Sequence, residues 1–128
     1  MEAKLYIYTI IILTAMLYAV FIIYRKNKQK RERNRLVEPL VLFFEERHRE
    51  LETGKLNLTE KVQFSVIKNV IKCLDQNEKE EFRKHLKSYR EIKERLIDKK
   101  YHENEKTLLL KRAKNHIEDI LKAIHIQP

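Results

Sequence analysis

From Leu5 to Tyr24 the chain reads LYIYTIIILTAMLYAVFIIY, twenty positions without Asp, Glu, Lys, Arg, His, Asn or Gln. As a helix this stretch spans about 30 Å, the thickness of a bilayer's hydrocarbon core. Its polar groups are Thr9, Thr14 and the tyrosine hydroxyls, and a threonine can return its hydroxyl to a carbonyl one turn back. Tyr6 and Tyr8 at one end and Tyr24 at the other stand where aromatic belts form. The pattern predicts a transmembrane helix over residues 5–24, with residues 1–4 as a short extracytoplasmic tail. A cleaved signal peptide would need a basic segment before a shorter apolar run and a small-x-small site after it, and neither is present. A helix buried in a soluble core would have to be wrapped on every side, which the 93 residues from Leu36 to Pro128 are too few to do.

Beyond the apolar run the spacing becomes helical and amphipathic. Glu38-Pro39 predicts that the membrane helix ends or kinks near Val37 and that a new helix begins at about Pro39. That helix, PLVLFFEERHRELETG, starts apolar all round, turns amphipathic and reaches Gly54 as a C-terminal cap. Asn57-Leu-Thr-Glu60 has capping-box spacing, and the apolar stripe Val62, Val66, Ile67, Val70, Ile71 and Leu74 follows it. Asn77-Glu-Lys-Glu80 repeats the capping logic before Phe82, Leu86, Tyr89, Ile92 and Leu96. A last stripe runs through Leu108, Leu109, Ala113, Ile117, Ile120, Leu121 and Ile124. DKKYHENE separates the last two helices as a polar loop opened by Asn104, because one continuous rod would put Asn104 on the apolar seam. The expected fold is all-α: a single N-terminal transmembrane helix, a basic juxtamembrane segment at 25–35, and a small cytoplasmic bundle at 36–128 of about four helices in up-and-down order.

Composition agrees with helices. One glycine and two prolines leave few tight turns for a sheet. The lone cysteine, Cys73, excludes an internal disulfide framework and borders an apolar stripe, where it reads as a small hydrophobe.

The net charge of +9 is concentrated: residues 25–35 hold seven basic side chains and one acid, or +6, while 36–128 hold 20 basic and 17 acidic groups. This asymmetry places the N-terminus outside and the C-terminal domain in the cytoplasm. Arg25, Lys26, Lys28, Lys30, Arg31, Arg33 and Arg35 are expected to meet anionic lipid headgroups, each contributing about 1 kcal/mol. The segment has no aromatic residue to stack on bases and adjoins the bilayer, so nucleic acid is not an expected partner. Ala15 and Ala19 form a small-xxx-small pair that would let two spans pair as a homodimer.

Catalytic motifs are scarce. Phosphate-binding and Rossmann loops need glycines the chain lacks; HExxH, paired CxxC and GxSxG are absent; and the serines are Ser65 and Ser88 alone. If 78–98 and 104–126 pair as an antiparallel hairpin, His85 and His116 fall at one height, with Glu81 one turn before His85 and Asp119 about one turn after His116. Two histidines and two carboxylates on facing helices have the chemistry of a divalent metal site. Ordinary hydrogen bonds beside the apolar seam are the expectation instead, so no metal, cofactor or catalytic residue is assigned. Arg95 and His102, six residues apart in between, resemble the Arg-x4–6-His signature of HEPN ribonucleases, which are helical bundles. The resemblance covers two residues and lacks the polar residue that usually follows the arginine. The resulting expectation is a membrane-anchored, non-enzymatic protein acting through an unidentified protein partner, as adaptor, assembly factor or small immunity-type regulator. VLFF and helix 62–74 are the expected sources of its binding patch. The alternative is a membrane-tethered nuclease or metal-dependent hydrolase using the bundle histidines.

Overall fold

The structure is a computed structural model that describes residues 2–127. Among these residues there are four helices and no strand: α1 (Glu2–Glu52), α2 (Phe64–Cys73), α3 (Gln76–Ile97) and α4 (Glu103–Ala123). The chain divides into two compact units, Met1–Glu32 and Arg33–Pro128.

The first unit is the N-terminal part of α1. It is long and apolar enough to cross a membrane, and none of its apolar window is buried against protein. Thr9 and Thr14 each donate the hydroxyl to the carbonyl four residues back, Leu5 and Ile10, at 2.8 Å. That removes their polar cost in the way the sequence suggests. Ala15 and Ala19 are exposed.

In the second unit the remainder of α1 buries Val37, Leu40, Val41, Phe44 and Leu51, a stripe recurring every three or four residues. The expected break at Pro39 is not there: α1 is unbroken through it. A proline inside a helix costs about 3 kcal/mol. Val37 before it and Leu40 and Val41 after it are almost wholly buried, and each such side chain contributes roughly 1.5–3 kcal/mol. Packing on both sides of Pro39 therefore outweighs its local penalty, and the exposed ring points away from the core. Gly54, at φ 77°, ends the helix as expected. Gly54 N–H donates to Leu51 O at 3.1 Å and Lys55 N–H to Glu50 O at 3.0 Å, the paired bonds of a Schellman cap.

The two capping boxes are corrected. Asn57 Oδ1 does accept from Thr59 N–H and Glu60 N–H, but no helix starts there; α2 begins at Phe64 behind Gln63, which makes no side-chain cap bond. The reciprocal half is lost because Glu50 takes the Asn57 N–H at 2.9 Å and Glu60 pairs with Arg47 at 2.8 Å. The second box exists two residues earlier, with Asp75 as N-cap and Glu78 closing it. Asp75-x-x-Glu78 satisfies the same rule as Asn77-x-x-Glu80, and the bidentate hold of Arg33 on Glu78 selects it. The polar loop between α3 and α4 is present, although it opens with Lys99 in the left-handed region (φ 53°) and Asn104 lies inside α4.

Contacts fix the directions within this unit. Arg33 meets Glu78 and Phe44 meets Tyr89, so α3 runs parallel to the end of α1. His85 meets His116 and Arg95 meets Glu105, so α4 returns antiparallel to α3. Arg47–Glu60 and Arg33–Cys73 O set the segment from 57 to 73 antiparallel to α1. Phe82, Val70, Ala113, Ile117, Ile120 and Ile124 meet in the centre with no exposure or almost none. Replacing Pro39 with Ala should stabilise this unit by about 2 kcal/mol, since the helix already continues past it and regains a hydrogen bond. Thermal melts of the full chain in detergent should rise by several degrees; an unchanged or lower midpoint would contradict an unbroken α1.

Candidate functional site

Six of the seven basic side chains at 25–35 behave as the charge pattern suggests in one respect: they are exposed or half-exposed. Arg33 is the exception and a correction. It is buried, and its guanidinium grips Glu78 through two bonds of 2.9 and 2.7 Å, so it is not available to headgroups. Helical phase is the cause, since Arg33 sits four residues before Val37 on the buried stripe. The pair holds the Glu78 carboxyl down at about 2. The Arg33 hydrogen bond is the largest cause, burial opposes it, and the Asp75 N–H assists.

An apolar cleft of about 300 Å³ lies between α1 and α3, walled by Leu40, Phe43, Val62, Ile67, Tyr89 and Ile97. Arg47, which does not itself line the cleft, is wholly buried with its guanidinium 4.9 Å from the centre of the ring of Phe43, a lining residue. Glu60, Glu50 and Glu46 lie 2.8, 3.0 and 3.4 Å from it, close enough to neutralise it, though none of its N–H groups is aligned for a hydrogen bond. The Tyr89 hydroxyl is also buried without a partner, and burial pushes it up to about 12 against the pull of Arg47. The cleft's charged lining is Lys61, Arg90, Lys93 and Glu94. Lys93 is held below its ordinary value by burial and then by the neighbouring cations Lys61, Arg47 and Arg90. Beside the cleft Phe64 is 76% exposed and Ile97 50%. Of the VLFF segment, Val41 and Phe44 are buried in the core, so only part of it is available at the surface. Sequence reasoning missed Arg47 and Arg33 as core members; their one signal is helical spacing from Val37, Leu40, Phe44 and Leu51.

The α3–α4 hairpin brings His85 and His116 together as the register argument anticipates. Their Nδ1 atoms are 2.9 Å apart and the ring centres 5.2 Å. His85 Nε2 is 3.2 Å from Glu81 Oε2 and 3.6 Å from Asp119 Oδ2. Burial and the neighbouring His85 hold His116 below its ordinary value, with Asp119 opposing. Arg95 and His102 form no comparable pair. Arg95 reaches Glu105 at 3.1 Å on the surface, and exposed His102 precedes the first turn of α4. Cys73 is half-buried with its thiol on Val70 O at 3.1 Å, and burial raises its pKa, as suits a packing residue.

No family model matches the chain, and neither the curated proteins nor the solved structures include one that is significantly similar to it. Its chemistry is therefore read from its own side chains.

The Arg33–Glu78 pair has a signed pH dependence. Glu78 titrates near 4.5 when unpaired and at about 2 in the fold. Its stabilisation is complete above the first value and is lost as pH falls toward the second. Acid unfolding followed by circular dichroism should therefore be less steep for Glu78→Gln than for the parent across that window. Superimposable slopes would show that the pair contributes nothing.

Proposed function

We propose that the chain is a single-pass membrane protein, N-terminus outside, that holds a non-enzymatic helical domain with four segments in up-and-down order at the cytoplasmic face. Its role is to bind a protein partner there. The observation that carries the reading is the open apolar cleft of the second unit, in a chain whose other unit is an uncovered apolar helix. At about 300 Å³ the cleft is at the small end of ligand pockets. It suits a few side chains presented by another protein better than a large cofactor. The lining cations Lys61, Arg90 and Lys93 outnumber the one lining carboxylate, Glu94, and favour acidic groups, so the matching partner segment is an amphipathic helix with an apolar ridge and acidic flanks. Arg25, Lys26, Lys28, Lys30, Arg31 and Arg35 would meet the headgroups and keep the domain on the inner side. The second reading, a membrane-tethered metal-dependent hydrolase, is favoured by one observation, the clustering of His85, His116 and Asp119.

A photo-reactive residue installed at Phe64 or Ile97 in native membranes should give a discrete protein adduct that the same residue at exposed Lys111 of α4 does not. Lys93→Glu should weaken that adduct several-fold. Adducts of equal yield at all three positions, or none, would contradict an interaction centred on the cleft.

A further inference from the structure

We propose that His85, His116 and Asp119 form a binding site for a divalent transition-metal ion of the zinc type, clamping α3 to α4 independently of any partner at the cleft. One ligand atom from each of the three residues lies within 4.8 Å of the others. Two nitrogens bound tetrahedrally to zinc at about 2.0–2.1 Å stand roughly 3.3 Å apart. The Nδ1 atoms are already 2.9 Å apart, so small rotations of two incompletely buried rings open the space for an ion. At that separation both nitrogens cannot carry a proton, and at least one bare lone pair is aimed at its neighbour. The arrangement is therefore either a single N–H···N hydrogen bond or, with that proton displaced, two nitrogen ligands converging on one point.

The surrounding groups favour the second. Glu81, one turn before His85 on α3, lies 3.2 Å from His85 Nε2 and accepts a hydrogen bond from its N–H. That fixes the tautomer in which Nδ1 is free, the orienting role that carboxylates play behind metal-bound histidines. Asp119, three residues beyond His116 on α4, places a carboxylate oxygen 3.6 Å from His85 Nε2 and within 4.8 Å of a ligand nitrogen of each histidine, adding the charge that a pair of neutral imidazoles lacks. A solvent-open cleft of about 270 Å³, lined by Glu81 and Asp119 though by neither histidine, lies beside the cluster. Two nitrogens, one carboxylate and an open position match zinc in ligand type and number. An ion there would tie α3 to α4, which otherwise meet through side-chain packing and the surface Arg95–Glu105 pair, so the site is structural or regulatory in character.

The test uses the untagged full chain in detergent micelles, titrated with zinc against a chromophoric chelator, and with cobalt to read tetrahedral visible bands. The expected result is one equivalent bound with micromolar or tighter affinity, a rise in melting temperature with added zinc, and tetrahedral cobalt bands. His85→Ala and His116→Ala should each weaken binding more than about 100-fold, and Glu81→Gln about 10-fold. His102→Ala and His125→Ala should leave it unchanged. If a histidine variant loses helicity, Asp119→Asn and Glu81→Gln carry the comparison. The proposal is overturned if zinc binds no tighter than about 0.1 mM, or if binding survives the His85 and His116 substitutions in folded protein.

Discussion

Apolar surface that no protein covers must be covered by something else, and here that surface is an entire helical stretch. Leu5–Tyr24 contains eleven Leu, Ile, Val and Phe residues, and none of the window is packed against protein. On an insertion scale those eleven contribute on the order of 3–7 kcal/mol toward a bilayer, while a single lysine or arginine at the centre would cost about 3 kcal/mol. The balance is narrow enough that one charge placed inside the run would consume roughly two-fifths or more of it. For a spanning helix, that balance would account for the abrupt boundary at Tyr24–Arg25 and for the cationic residues crowded immediately beyond it. In water the same stretch would be an aggregation surface far larger than a monomer tolerates.

The second unit obeys a different constraint, since it must bury its apolar stripes with protein alone. Val37, Leu40, Val41 and Phe44 achieve this only if α1 keeps its helical phase through Pro39. The same phase carries Arg33 and Arg47 inward. Each then needs carboxylates: Arg33 takes Glu78 from α3, and Arg47 takes Glu50 one turn on in α1 and Glu60 from the loop that follows. The polar interior of this unit is thus a consequence of the apolar stripe, because the charges occupy positions that helical geometry assigns to the core. The cleft lies between α1 and α3, whereas the histidine cluster lies between α3 and α4. The two share no residue.

The legible features were those set by period and by single residues of special geometry. The stripes of α3 and α4, the cap at Gly54, the threonine back-bonds and the height at which His85 and His116 meet could all be read from spacing. Other features depend on partners distant in sequence. Pro39 is a strong local signal that packing overrode. Asn57-x-x-Glu60 and Asn77-x-x-Glu80 carry the same pattern as Asp75-x-x-Glu78. Only the claims of Arg47 on Glu60 and Arg33 on Glu78 separate them. Arg33 was grouped with its basic neighbours because linear charge density ignores which way a side chain faces. No reading of residues 25–35 in isolation could recover a partner on α3.

The most direct test of the account is accessibility along α1, read by a membrane-impermeant maleimide. In a Cys73→Ser background, single cysteines would be placed at Lys4, Thr14 and Lys55 of the full chain in its native membrane. The account predicts labelling at position 4 in intact cells, at position 55 only after permeabilisation, and at position 14 in neither case. Ready labelling at position 14, or equal labelling at 4 and 55 from outside, would contradict a helix spanning lipid with its domain on the inner side.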